Sequence, residues 1–172
     1  MPPMYYRPLV AVLVGALLAC GTVLAAERSI PGAAQPEQKS PKKKVRTGDT
    51  PFGREGDARK VKRVIRIDMS DTMQYFPDQI RVNRGDTIRF LVRNSGQLPH
   101  EMVLGTMDDL KKRAVVTKRS GGMNHDDANV AQVAPGGTGR IVWQFTKAGE
   151  FYYGCLVPGH FDAGMIGTVV VR

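Results

Sequence analysis

The chain has 172 residues, and its 25 Lys and Arg against 16 Asp and Glu give a formal charge of +9. That length suits one domain with appendages. With two cysteines and three histidines in all, zinc sites of four cysteines and enzymes with several histidine-built copper centres are excluded.

Leu9 to Ala19 is an unbroken run of small and apolar residues behind Arg7. It is shorter than the roughly 20 residues that a helix needs to cross a bilayer. A short apolar run after a positive charge, followed by small residues, reads as a secretory signal over residues 1–26, cleaved after Ala25 or Ala26. A second route also fits. Leu17-Leu18-Ala19-Cys20 resembles a lipoprotein box, in which Cys20 is lipidated and becomes the new N-terminus. Both routes take the chain out of the cytoplasm, and only the second ties it to a membrane.

Residues 27–60 are dominated by Pro, Gly, Ser, Gln, Lys and Arg. Such a stretch buries too little apolar surface to offset its ordering entropy, so a disordered Pro/Lys-rich linker is expected. Pro41-Lys42-Lys43-Lys44-Val45-Arg46 resembles a nuclear import signal in isolation, but behind a secretory signal it reads as a solvated basic tether. Residues 1–60 hold 10 basic and 5 acidic residues, and residues 61–172 hold 15 and 11. Over half of the excess charge therefore lies before residue 61, and no basic stripe with interleaved aromatics follows. Nucleic acid is not an expected partner.

From residue 61 the pattern is that of an all-β domain. Val61–Asp68 is rich in β-branched residues, and Gln79–Val82 leads into the turn Asn83-Arg84-Gly85-Asp86. Thr87–Arg93 alternates, with Ile88, Phe90 and Val92 on the inner face. His100–Leu104 is a short strand, and Gly139–Phe145 places Ile141, Trp143 and Phe145 on one face. Glu150–Gly154 and Met165–Val171 complete the set. Seven or eight strands in this span predict a Greek-key β-sandwich or barrel. Thr106–Lys118 differs, with Met107, Leu110, Ala114 and Val115 at helical spacing, acidic residues first and basic residues later. A short helix and a loop to about Val130 are expected as an insertion.

The chemistry gathers near the C-terminus. In the secreted chain, cleaved after Ala25 or Ala26, Cys155 is the only cysteine left and cannot pair within the molecule. An unpaired cysteine in an oxidising compartment calls for burial, dimerisation or a metal. Cys155, His160 and Met165 follow at intervals of five residues across a Pro-Gly turn. One loop can therefore present a thiolate, an imidazole and a thioether to one point. Two His, one Cys and a weak axial Met make a one-electron copper centre. His100, at the start of its strand, is the candidate for the second imidazole. The bland alternatives are a small buried hydrophobe at Cys155, a core methionine at Met165 and an ordinary strand residue at His100.

These residues, with Gly154-Cys155, Pro158-Gly159-His160 and Gly164-Met165-Ile166-Gly167, resemble the loop of the cupredoxins, the family of plastocyanin, azurin and pseudoazurin. The resemblance covers residues 61–172. It implies a cupredoxin-type Greek-key fold and one type 1 copper per chain, held by His100, Cys155, His160 and Met165. The stretch Gly149–Val171 with Pro99-His100-Glu101-Met102 is most similar to periplasmic cupredoxins linked to bacterial copper tolerance. Two features depart from the pattern. Plastocyanins have a shorter Cys-to-His interval and azurins a shorter His-to-Met one, and Glu101 stands where Asn or Ser is common. They leave open whether the site is blue or green.

A second Cu(I) site is a further expectation, built from Met102, Met107, Met123 and His125; the alternative is that these methionines fill core gaps. The resemblance implies a periplasmic copper-binding protein that supports copper tolerance, or an electron shuttle that docks a periplasmic redox protein through the apolar residues around His160. An enzyme is not expected, apart from Cu(I) oxidation, because four protein ligands leave no open position.

Overall fold

The computed structural model describes residues 49–120 and 127–172. Among these residues ten strands form two five-stranded sheets. In chain order they are β1 (Arg54–Glu55), β2 (Arg63–Ser70), β3 (Gln74–Phe76), β4 (Gln79–Val82), β5 (Thr87–Asn94), β6 (His100–Gly105), β7 (Val130–Val133), β8 (Thr138–Gln144), β9 (Gly149–Gly154) and β10 (Ile166–Val171). One sheet runs β1-β8-β5-β2-β3 and the other β4-β10-β9-β6-β7. The pairs β2/β5 and β4/β10 are parallel and the other pairs are antiparallel. This crossing between two mainly antiparallel sheets is the sandwich expected from the strand pattern.

The core lies between the sheets. Ile65, Ile67 and Met69 of β2 alternate with exposed or half-buried residues, as do Ile88, Phe90 and Val92 of β5. Ile141, Trp143 and Phe145 face the same interior, as their spacing predicted. Three methionines are also there: Met69, Met102 and Met165 are fully buried in this cluster. Three strands were absent from the expectation. β1, β3 and β7 have two, three and four residues, too short for a periodicity to register.

The expected helix is present as α1 (Met107–Ser120), between β6 and β7. Thr106 caps it: the Asp109 N–H donates to Thr106 Oγ1 at 3.1 Å, and the Thr106 hydroxyl donates to the Asp109 carboxylate at 2.7 Å. Leu110 packs with Val103 and Leu156 in a small second cluster on the outer side of the β6 sheet. Because the core covers one face of β6 and α1 the other, all six residues of β6 are buried.

The expected linker over residues 27–60 is corrected at its C-terminal end. Residues 49–60 are part of the sandwich: β1 pairs with β8, and Phe52 is only 5% exposed. The Phe52 ring stacks on Trp143 with centroids 5.0 Å apart, and Trp143 Nε1–H donates to the Phe52 carbonyl at 3.1 Å. Gly53, at φ 126°, permits this approach, since a Cβ there would meet the Gln144 carbonyl oxygen at 2.1 Å. Average composition misses a single aromatic anchor in a polar stretch. Residues 1–48, with the expected signal and Cys20, and residues 121–126 lie outside the described residues. Among the described residues no helix is long and apolar enough to cross a membrane.

Phe52→Ala removes a buried ring stacked on Trp143, and is expected to lower the unfolding free energy by about 3 kcal/mol. Denaturant titration of the full chain measures it, and a change within error of zero would return residues 49–60 to the linker.

Candidate metal centre

β9 ends at Gly154, and the next eleven residues, Cys155 to Met165, form the loop that leads into β10. Backbone hydrogen bonds close this loop on itself. The Cys155 N–H donates to the Met165 carbonyl at 3.1 Å, the Met165 N–H to the His160 carbonyl at 3.1 Å, and the His160 N–H to the Val157 carbonyl at 3.0 Å. Gly159 and Gly164 precede His160 and Met165 at φ 87° and 88°. Glycine adopts this left-handed geometry without strain, so the chain turns sharply just before each of these side chains.

The loop and β6 meet at one point. His100 Nδ1 lies 3.9 Å and His160 Nδ1 3.4 Å from Cys155 Sγ. The three potential ligand atoms lie within 4.8 Å of one another, and the two imidazole centroids are 4.9 Å apart. His100 is 1% exposed, while Cys155 and Met165 are fully buried. His160 is half-buried. Among the described residues this is the one cluster of His, Cys, Asp or Glu with such spacing.

The environment penalises charge on Cys155 and His160. Burial pushes the Cys155 thiol up to about 11, against the pull of the Glu101 and Val157 N–H groups. The Glu101 N–H reaches Cys155 Sγ at 3.5 Å. Burial, and then the proximity of His100, pull the His160 imidazole below its ordinary value. Two imidazoles, a thiol that ionises only against a positive neighbour, and a buried thioether at the loop's end together fit copper. This set is soft enough for Cu(I) and contains the nitrogens that Cu(II) prefers.

Other residues support the two segments. Glu101, 2% exposed, accepts from the Leu156 N–H at 3.1 Å through Oε1, tying β6 to the residue after Cys155. Asn94 is buried at the end of β5. Its amide donates to the carbonyls of Leu98 and Val133 at 2.7 and 3.0 Å, and accepts from the Gly96 N–H at 2.9 Å. Asp71, in the turn between β2 and β3, accepts from the N–H groups of Gln97 and Leu98 at 2.7 and 3.1 Å. Its carboxylate also lies 3.1 Å from His100 Nε2. The two backbone N–H groups, and then His100, hold the Asp71 carboxyl below its ordinary value. Asp71 and Asn94 were not singled out from the sequence. Each stands in a polar turn or strand end, and only pairing across the sheet brings it to the site.

The expected second site is not assembled among the described residues. Met102 is fully buried in the main core. Met107 begins α1, beyond the other end of β6 from His100, and six residues of strand span roughly 20 Å. Met123 and His125 lie outside the described residues.

Comparisons with known proteins agree with this geometry. The chain is 53% identical over 124 residues to the copper-resistant cuproprotein CopI of Rubrivivax gelatinosus, covering 72% of this chain and 75% of that one. It is 30% identical over 150 residues to CopI of Pseudomonas aeruginosa, covering 70% and 82%. Among solved structures, the reduced auracyanin of Roseiflexus castenholzii superposes with a TM-score of 0.56 at 21% identity, over 65% of this chain and 98% of that one. That likeness concerns the fold alone. The family model for copper binding proteins of the plastocyanin/azurin family matches residues 61–172, and on that match the chain belongs to this copper-binding family.

Proposed function

We propose that this chain is a periplasmic copper protein that supports copper tolerance, with His100, Cys155, His160 and Met165 as the ligands of one type 1 copper. The observation that carries the reading is the convergence of two imidazole nitrogens and one buried thiol sulfur within 4.8 Å, in a chain 53% identical to a copper-resistant cuproprotein. Bound copper supplies a one-electron couple between Cu(I) and Cu(II). Cys155 contributes the thiolate, His100 and His160 the nitrogens, and Met165 the weak thioether contact. The closed loop and β6 hold these donors in place, so either oxidation state meets the same arrangement and little rearranges when an electron moves. Four protein donors leave no position for a substrate, which favours binding over turnover.

A second reading, an electron shuttle, shares the site and is favoured by its exposure. His160 is the half-buried member of the trio. Beside it runs a groove of about 210 Å³ lined in part by Leu156, Val157, Pro158 and Phe161, together with Lys111 and the paired Lys118 and Asp162. Apolar contact near a copper ligand suits a docked redox partner.

One equivalent of Cu(II) added to the purified chain is expected to give an intense visible thiolate-to-copper band that Cys155→Ser abolishes. A parent protein with no such band would remove Cys155 from the ligand set.

Copper takes the thiolate, whereas the metal-free thiol keeps its proton up to about pH 11. Binding at neutral pH therefore releases one proton from Cys155, and apparent affinity rises with pH by about tenfold per unit. Burial keeps His160 neutral into mild acid, so its proton competes only at lower pH, where the slope steepens. Chelator competition across a pH series reads this slope, and a flat profile through neutrality would contradict thiolate ligation.

In cells, deletion of the gene is expected to lower growth on copper, with recovery from the parent sequence and none from Cys155→Ser. A deletion strain as tolerant as its parent, together with rapid electron exchange between the protein and a periplasmic cytochrome, would select the shuttle instead.

A further inference from the structure

We infer that Asp71 is a positioning residue for the copper ligand His100: its carboxylate accepts a hydrogen bond from Nε2–H and leaves Nδ1 free to face Cys155. The inference rests on the copper reading above and deepens it. Its basis is the way three segments meet. The β2–β3 turn supplies Asp71, the β5–β6 loop supplies Gln97 and Leu98, and β6 begins at His100.

Asp71 Oδ2 accepts from Gln97 N–H at 2.7 Å. Oδ1 accepts from Leu98 N–H at 3.1 Å and lies 3.1 Å from His100 Nε2. The two backbone donors fix the carboxylate, and the carboxylate fixes the ring. An ionised carboxylate accepts and does not donate, so the ring nitrogen that faces it must carry the proton. In a neutral imidazole the other nitrogen then has the free lone pair. That nitrogen, Nδ1, is 3.9 Å from Cys155 Sγ. Protonation of Nδ1 instead would block it as a ligand and leave Asp71 facing a bare lone pair.

The packing leaves room for this contact and little else. A Cβ on Gly96 would meet Asp71 Oδ1 at 2.0 Å, so the loop approaches the carboxylate with a glycine. His100 has no exposed side-chain surface, whereas the Asp71 side chain is 35% exposed. The acceptor that replaces water for the buried ring is therefore itself partly solvated, and its charge is tolerated at low cost.

A charged acceptor also makes an imidazole a stronger donor, which favours the higher oxidation state of a bound metal. Asp71 therefore acts on copper through His100 without touching it.

The test uses the full chain and two substitutions. Asp71→Asn keeps an oxygen that can accept from Nε2–H and removes the charge. Asp71→Ala removes both. Nitrogen-resolved imidazole NMR of the metal-free proteins reads the His100 tautomer, and a backbone spectrum of each variant reports its folding. The Nε2–H tautomer is expected in the parent and in Asp71→Asn, and a mixture in Asp71→Ala. In the copper-loaded proteins Asp71→Asn is expected to weaken Cu(II) binding relative to Cu(I) by about tenfold, an upward shift of about 59 mV for one electron. Asp71→Ala is expected to lose 10–100-fold in Cu(II) affinity, about the range for loss of such a partner. A purely structural turn residue would move neither the tautomer nor the potential of a folded variant. An unchanged tautomer in Asp71→Ala and unchanged potentials in both variants, with the thiolate band present, would overturn the positioning role alone. A parent protein without that band would overturn the copper reading itself, while the tautomer comparison would still report on the Asp71–His100 contact.

Discussion

The cost of charging a buried thiol organises this site. Cys155 is fully buried where β9 leaves its sheet, and burial keeps its proton in place far above neutral pH. An anion there needs a cation, and the surroundings provide donors that can hold one. His160 and Met165 come from the same loop, closed by its own backbone hydrogen bonds. His100 comes from the neighbouring strand β6. Two imidazoles beside a thiol offer a metal three donors at one point.

The rest of the sandwich keeps that arrangement from relaxing. Asn94 ties the β5–β6 loop to β7, and Glu101 ties β6 to the residue after Cys155. α1 covers the outer face of β6 through Leu110, which packs on Val103 and Leu156. Met102, two residues along the strand from His100, is committed to the core. There its thioether fills volume among apolar neighbours. His160 alone among the three clustered ligand candidates reaches toward solvent, which gives the site one side for exchange of copper or electrons.

Much of this was legible in the chain. The alternation at Ile88, Phe90 and Val92, and at Ile141, Trp143 and Phe145, follows from side chains pointing to opposite faces of a strand, so a period of two marks the buried face directly. α1 was legible from its charge order and spacing. β1, β3 and β7 were not, because two to four residues hold too little periodicity. Phe52 was hidden for a related reason: a single anchor leaves the average of its segment polar, and its value depends on Trp143, 91 positions away.

By itself the sequence made the candidate loop legible, since Cys155, His160 and Met165 follow at intervals of five residues across a Pro-Gly turn. It also determined the class of sandwich, through local alternation. Tertiary structure alone decided what supports His100. Asp71 stands 29 positions before that histidine in an ordinary polar turn, and no local pattern joins the two. The parallel pairing of β2 with β5 carries the turn after β2 and the loop after β5 to the same end of the sheet. Register between distant strands is set by packing of the whole core, so a contact that depends on it cannot be read from either segment alone.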